Sequence, residues 1–367
     1  MSLPEALLSA KDLKVELGGV TVLEIPSFCL EEKEVVAVVG PNGSGKSTLL
    51  LTLACLLKTS SGRISYRGEY INSDDAVFRF RRKISMVFQE PLLFDTTVYK
   101  NVAAGLKIRG LSKTDSNRRV MKYLKMLRIE DLADRSARKL SGGESQRTSL
   151  ARAFAVEPEI ILLDEPFSAL DPPTRHDLIH DLDNAVKETG TTIVLATHVE
   201  FEALNLSGRI VVMNGGRIVQ SGSPSAVMNN PSTEFVARFV GMETILSGRV
   251  RECKDGLLVI SVFGREMYAL GQSRPDEEVN CCIRPENVAV ALDAGDVSHN
   301  SNVFAGRITH VYSMGPILKL NLDCGFPLVS LVTREIFVDL ELAEGKELYA
   351  SFKPASVHLL SKSAPRS

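Results

Sequence analysis

Several short stretches of this 367-residue sequence combine residue types that could do chemistry on a phosphate. The first is Gly40-Pro41-Asn42-Gly43-Ser44-Gly45-Lys46-Ser47-Thr48, preceded by the apolar run Val35–Val39 and followed by Leu49-Leu50-Leu51. Strand, glycine-rich loop and helix in that order make a phosphate cradle. The glycines let several N–H groups face one point, and the helix start adds partial positive charge there. Lys46 can reach the β- and γ-phosphates and the Ser47 hydroxyl can ligate Mg²⁺. A second stretch, Glu159 to Pro166, is apolar until it ends on adjacent carboxylates. Asp164 can hold Mg²⁺ directly or through water, and Glu165 can polarise an attacking water as general base. His198, after Thr192–Thr197, can donate to a γ-phosphate, and Gln89, after Ile84–Phe88, can sense the metal or the water. Ser141, Gly142 and Gly143 open a helix and form another anion site from backbone N–H groups. The chain therefore offers two half-sites for one nucleoside triphosphate. They meet most simply if two copies pack head-to-tail.

The elements that must position these residues follow from the pattern. Continuous apolar runs at 35–39, 84–88, 160–163 and 192–197 separated by helices predict a parallel sheet covered on both faces. Ligands in such sheets bind at the carboxyl ends of the strands, where 40–48, Gln89, Asp164, Glu165 and His198 all fall. Alternation around Gly18-Gly19 predicts a β-hairpin over 11–30, and Arg209–Val219 reads as another. Residues 62–68 read as a short strand and turn. Val98, Val102, Leu106, Met121, Leu124 and Leu127 recur near helical spacing, so about 91–156 is a helical insertion, its last helix running from about Ser145. A further helix is expected over 173–189.

Past Val240 the text changes to short alternating strands with Gly and Pro turns. Gly248-Arg249-Val250 leading to Ile283-Arg284-Pro285-Glu286-Asn287-Val288 repeats as Gly306-Arg307-Ile308 leading to Phe352-Lys353-Pro354-Ala355-Ser356-Val357. Two small β-barrel modules, about 243–292 and 301–361, joined by a polar linker at 293–302, are expected. The domain division expected is thus 1–240 and 243–361.

Composition narrows the function classes. The net charge of −2 argues against a general nucleic-acid binder. No apolar run approaches the roughly 20 residues that a spanning helix needs. Met1–Ala10 shows no secretory signal. Six cysteines without C-x-x-C spacing read as reduced thiols, and the vicinal pair Cys281-Cys282 as buried or edge thiols before any redox or metal role.

Taken together, residues 11–240 resemble the ATP-binding-cassette ATPases. Gly40–Thr48 stands as Walker A, Gln89 as the Q-loop and Leu140–Glu144 as the signature. Ile160–Glu165 is Walker B, Ser168-Ala169-Leu170-Asp171 the D-loop and His198 the switch histidine. The resemblance implies an α/β P-loop (RecA-like) domain with a helical subdomain, then an all-β, OB-like tandem barrel of the TOBE kind. It also implies ATP and Mg²⁺ as cofactors, Asp171 at the nucleotide site, and a head-to-tail homodimer on the cytoplasmic face of a membrane. The partners implied are separate transmembrane permease subunits and an extracytoplasmic substrate-binding protein. Two departures stand out. Glu144 replaces the usual Gln of the signature. Leu17-Gly18-Gly19 replaces the aromatic residue that stacks on adenine, so apolar and less selective base contact is expected. The tail from Ser298 resembles small molybdate-binding modules, although Ser301 stands where an arginine is usual and Val332-Thr333 is followed by Arg334-Glu335. By that resemblance Asn302, Thr333, Lys353 and Ser356 are candidates for an oxyanion site. The implied role is the ATPase of an oxyanion importer, for molybdate or tungstate. Importers of sulfate, ferric iron, polyamine or sugar, and a soluble non-transport ATPase, stay open.

Overall fold

The computed structural model describes residues 6–296 and 302–362. Ser298, Ser301 and the first residues of the chain lie outside them. Two compact units divide the chain, 1–224 and 225–367.

The first unit begins with β1 (Leu8–Leu17) and β2 (Val20–Leu30), hairpin-paired across Gly18-Gly19. β3 (Val35–Val39) feeds the glycine loop and α1 (Lys46–Leu53). β4 (Ser61–Tyr66) and β5 (Glu69–Tyr70) complete a four-stranded sheet ordered β2-β1-β4-β5. Next come α2 (Asp74–Arg81), β6 (Ile84–Val87), α3 (Val98–Ile108), α4 (Lys113–Met126) and α5 (Gly142–Ala155). β7 (Ile160–Asp164), α6 (Pro172–Thr189), β8 (Thr192–Thr197), α7 (Glu200–Leu206), β9 (Arg209–Asn214) and β10 (Arg217–Gly222) close the unit. The six-stranded sheet is ordered β10-β9-β3-β8-β7-β6, parallel except for β10. Successive residues on a strand point to opposite faces. Ile161, Leu163, Ile193 and Leu195 accordingly enter the core under α3–α6. Ile160, Leu162, Val194 and Ala196 enter the core shared with α1 and the hairpin sheet. Both faces are dry, which is why these strands read as unbroken apolar runs.

An element and a boundary in this unit differ from the sequence expectation. α2 was not expected: it is a polar eight-residue helix burying only Phe80, too short to show a repeat, and Ser73 Oγ caps it by accepting from Ala76 N. α5 starts at Gly142 rather than Ser145 because Ser141 and Glu144 form a capping box.

The second unit contains α8 (Pro224–Asn229), which begins at the boundary, and α9 (Glu234–Phe239). The division thus falls before these helices, not at 240, because Ala237 and Met242 pack with Cys282 and Leu360 of the tail. The strands are β11 (Thr244–Lys254), β12 (Leu257–Val262), β13 (Arg265–Leu270), β14 (Glu278–Ile283), β15 (Ala289–Ala291), β16 (Asn302–Ser313), β17 (Ile317–Asp323) and β18 (Pro327–Thr333). α10 (Arg334–Asp339), β19 (Glu347–Phe352) and β20 (Val357–Ser361) follow. They form two five-stranded sheets, β13-β12-β11-β14-β20 and β15-β19-β16-β17-β18.

The expected pair of self-contained modules is therefore corrected. Each repeat gives its last strand to the other sheet, β20 pairing with β14 and β15 with β19. The crossing is made at the repeated proline turns, Pro285–Asn287 and Pro354–Ser356. Equivalent side chains hold it: Thr244 Oγ1 accepts from Val329 N at 3.1 Å, and Asn302 Oδ1 accepts from Tyr268 N at 2.6 Å. Both repeats contribute to one core, in which Val250 and Ile260 meet Phe304 and Leu320.

Candidate active site

The loop between β3 and α1 is shaped for a phosphate. A Cβ at Gly40 (φ 155°) would overlap the Met213 carbonyl oxygen, so only glycine lets the loop lie this close to β9. No side chain caps α1 at Gly45, which leaves the first N–H groups of the helix for an anion. Ser44 Oγ is buried with no hydrogen-bond partner among the described residues, as expected of a group meant for a ligand. Lys46 is 4% exposed and donates to the Gly40 and Pro41 carbonyl oxygens at 3.0 and 3.2 Å.

The ends of β7 and β8 complete the site. Ser47 Oγ donates to Asp164 Oδ1 at 2.8 Å. Burial pushes the Asp164 carboxyl above its ordinary value, with the Ser47 hydroxyl pulling the other way. Glu165, the next residue, has φ 45°, a left-handed conformation rare for a residue with a side chain. Its N–H donates to Ala196 O at 2.9 Å, fixing the turn that carries the carboxylate. Glu165 Oε1 lies 3.5 Å from Lys46 Nζ, and Oε2 lies 3.1 Å from His198 Nδ1. A carboxylate held between an ammonium and an imidazole beside a phosphate loop can orient and deprotonate water.

The cleft above these groups has a volume of about 470 Å³, and Leu17, Val22, Gln89, Lys46 and Glu165 are among the residues that line it. Leu17 and Val22 supply its apolar end.

Ser141, Gly142 and Gly143 do not line this cleft. Ser141 Oγ accepts from Glu144 N at 3.2 Å and Glu144 Oε2 accepts from Ser141 N at 2.7 Å. Glu144 in the usual Gln position thus completes the cap. Asp171 likewise caps α6, accepting from Thr174 N at 3.2 Å, and the Thr174 hydrogen bonds hold its carboxyl low. Within one chain the half-sites stay apart.

The proposed oxyanion set is not brought to one point. Asn302 is buried and its amide is engaged at both ends by the Tyr268 backbone, Nδ2 donating to the carbonyl at 2.9 Å. Lys353 and Ser356 flank the proline turn just after Phe352, which pairs with Asn302. Thr333 pairs with Ile317 at the other end of the sheet, beside the Ser313 end of β16, and caps α10. The Asn302 amide is spent on the strand exchange, and Thr333 Oγ1 accepts from Ile336 N at a helix start.

Sequence reading missed Glu202 and Arg175, which lie beneath the loops of Glu165 and His198. A glutamate inside an apolar helix stretch four residues after His198 was the available signal.

Comparison with known proteins agrees with this geometry. Residues 23–168 match the ABC transporter family model and residues 298–359 the TOBE domain model. The molybdate/tungstate import ATP-binding protein WtpC of Pyrococcus horikoshii is 37% identical over 337 residues, 91% of this chain and 94% of that protein. The WtpC of Pyrococcus abyssi is 35% identical over 90% of this chain and 94% of its own length. Among solved structures, cbiO1 of Clostridium perfringens, part of the ABC transporter complex cbiONQ, superposes with a TM-score of 0.58. It is 32% identical, over 65% of this chain and 96% of its own. A dimeric ATP-binding cassette in a post-hydrolysis state with ADP and Pi gives 0.54 at 31% identity, over 59% of this chain and 98% of its own. With the phosphate loop and Glu165 lining one cleft, with Asp164 and His198 hydrogen-bonded to Ser47 and Glu165 beside it, and with likeness running almost the full chain, this protein belongs to the ABC transporter family as an ATP-binding, ATP-hydrolysing subunit.

Proposed function

We propose that the chain energises import of a tetrahedral oxyanion, molybdate or tungstate, through separate transmembrane subunits fed by an extracytoplasmic binding protein. The observation that carries this reading is the likeness to the Pyrococcus import proteins over 90–91% of the chain, tail included. No helix among the described residues is long and apolar enough to cross a membrane.

Two copies arranged head-to-tail would bring Ser141, Gly142, Gly143 and Asp171 of one chain to the phosphate loop of the other. The exposure of Ser141, Gly142 and Asp171 outside the cleft supports this. The hard oxygens of Ser47, Asp164 and Gln89 fit Mg²⁺. When bound there the ion supplies charge neutralisation on the phosphates. Lys46 and the loop N–H groups hold the γ-phosphate, Glu165 takes the proton of the attacking water at its carboxylate, and His198 fixes that carboxylate and donates toward the phosphoryl oxygens.

The test is uptake by cells lacking the chain, measured as intracellular molybdenum, tungsten and sulfur after pulses of each oxyanion. Loss of molybdate or tungstate uptake, restored by the wild-type chain but not by Lys46→Ala, is expected. Loss confined to sulfate, or no loss at all, overturns the substrate reading and leaves the ATPase intact.

A further inference from the structure

Beneath the catalytic loops lies a charged pair that makes no contact with the phosphate cleft. Glu202, on α7, is 1% exposed, and its Oε2 accepts a hydrogen bond from Thr197 Oγ1. Its Oε1 has no hydrogen-bond partner among the described residues and faces Arg175 Nε, equally without one, at 3.9 Å. Arg175, in the first turn of α6, donates from Nη2 to the Leu170 carbonyl at 3.0 Å. The Thr197 hydroxyl also accepts from Val199 N at 3.0 Å. One hydroxyl therefore ties the residues on both sides of His198 to Glu202. On the other side, Ser168 Oγ donates to the Glu165 carbonyl at 3.0 Å, so segment 165–171 is itself a closed turn hanging on Arg175. A carboxylate oxygen buried without a partner is costly, and an apolar side chain would pack this place without that cost.

We propose that Glu202 is a positioning residue for ATP hydrolysis: through Thr197 it holds His198 against Glu165, and through Arg175 it ties that grip to the Leu170 loop. The inference concerns hydrolysis alone and stands or falls independently of the transported substrate. At 3.9 Å the pair is too long for a hydrogen bond, yet it is poorly screened because it is buried. A shift of less than 1 Å in the Leu170 segment would close or open it. Burial pushes the Glu202 carboxyl above its ordinary value, and the Thr197 hydroxyl and the Arg175 charge offset part of that. The 3.1 Å contact of His198 with Glu165 is the distance such a link would protect. Misplacing a reacting group by about 1 Å costs on the order of a hundredfold in rate.

Steady-state ATPase kinetics on the purified full chain test this. Glu202→Ala should lower kcat by about 10- to 100-fold with KM for ATP within about twofold, since the phosphate loop is untouched. Glu202→Gln keeps an oxygen that can accept from Thr197 and should recover at least about a third of kcat. Thr197→Val should match Glu202→Ala, and the double variant should be no worse than either single one. In histidine-labelled protein, the ring nitrogen resonances of His198, assigned with His198→Ala, should move in Glu202→Ala and return in Glu202→Gln. Full kcat in Thr197→Val overturns the proposal, even if Glu202→Ala fails to fold. So does a folded Glu202→Ala with unmoved His198 resonances, or a Glu202→Gln as impaired as Glu202→Ala.

Discussion

Glu165 carries the largest burden of any single residue, since a left-handed φ of 45° is retained to place it between Lys46 and His198. Removing its charge while keeping its shape should spare nucleotide binding. Glu165→Gln is expected to lower kcat by about 10²–10⁴-fold, the usual worth of a general base, with ATP affinity unchanged in a fluorescent-nucleotide titration. Turnover near the wild-type rate would remove Glu165 from that role. Leu17 and Val22 make a second residue-scale point. Aliphatic contact reads no hydrogen-bonding pattern, so GTP should be hydrolysed with kcat/KM within about tenfold of ATP. Leu17→Tyr should tighten purine binding by about two- to tenfold through stacking. Strong rejection of GTP by the wild-type chain would show a base-reading group elsewhere. The cysteines are simpler. Burial pushes Cys281 and Cys282 up to about 12 and Cys324 up to about 11, so thiolate is scarce at any ordinary pH. Iodoacetamide at pH 8 should label exposed Cys29 and Cys253 and spare those three in peptide mapping.

Elements begin and end where local hydrogen bonds allow, and two of them show how far sequence rules reach. The α5 start was legible as a serine before two glycines. Its residue-level boundary was not, because it depends on whether Glu144 turns back to Ser141 or faces solvent. Where β4 docks on the head of β7, Glu159 receives Tyr66, Arg67 and Lys83. Burial pushes the Glu159 carboxyl up, but these three donors outweigh it and hold it at about 2. A carboxyl with a depressed folded pKa stabilises above its unfolded value, about 4.3, and loses that contribution as pH falls toward 2. Glu159→Gln should therefore lower the Tm most above about pH 5, with the gap to wild type closing toward pH 2. A gap that is constant with pH would mean that the contact acts through packing, not charge.

At the scale of the whole molecule, two expectations concern completion of one part of the chain by another. The phosphate cleft lacks Ser141, which supports a shared site. Mixing Lys46→Ala chains with Ser141→Arg chains should restore activity, since each mixed dimer keeps one intact composite site. No recovery at any ratio, with both chains folded, would argue for a self-contained site. In the tail, the strand exchange makes each sheet depend on the other repeat. β20 covers the edge of β14, pairing Leu359 with Cys281 and His358 with Cys282. A chain ending at Lys353 should consequently expose both thiols to iodoacetamide, where two separate modules would leave Cys281 protected within the first.

What the sequence by itself determined is whatever depends on neighbours along the chain. The glycine loop after an apolar strand, the carboxylates ending another, the histidine ending a third and the period-two repeat in the tail are all local patterns, and each recurs in place in the structure. The convergence of Lys46, Asp164, Glu165 and His198 was legible too, because a parallel sheet sends every strand end to one side. Tertiary structure alone decided the rest. A proline turn says that the chain bends, not which sheet receives the next strand, so the exchange of β15 and β20 was hidden. In the sequence Asn302 reads as a free donor, but the Tyr268 backbone engages both ends of its amide, and Thr333 Oγ1 accepts from Ile336 N at the start of α10. Glu202 and Arg175, 27 residues apart, share a purpose only because α6 and α7 bring them together.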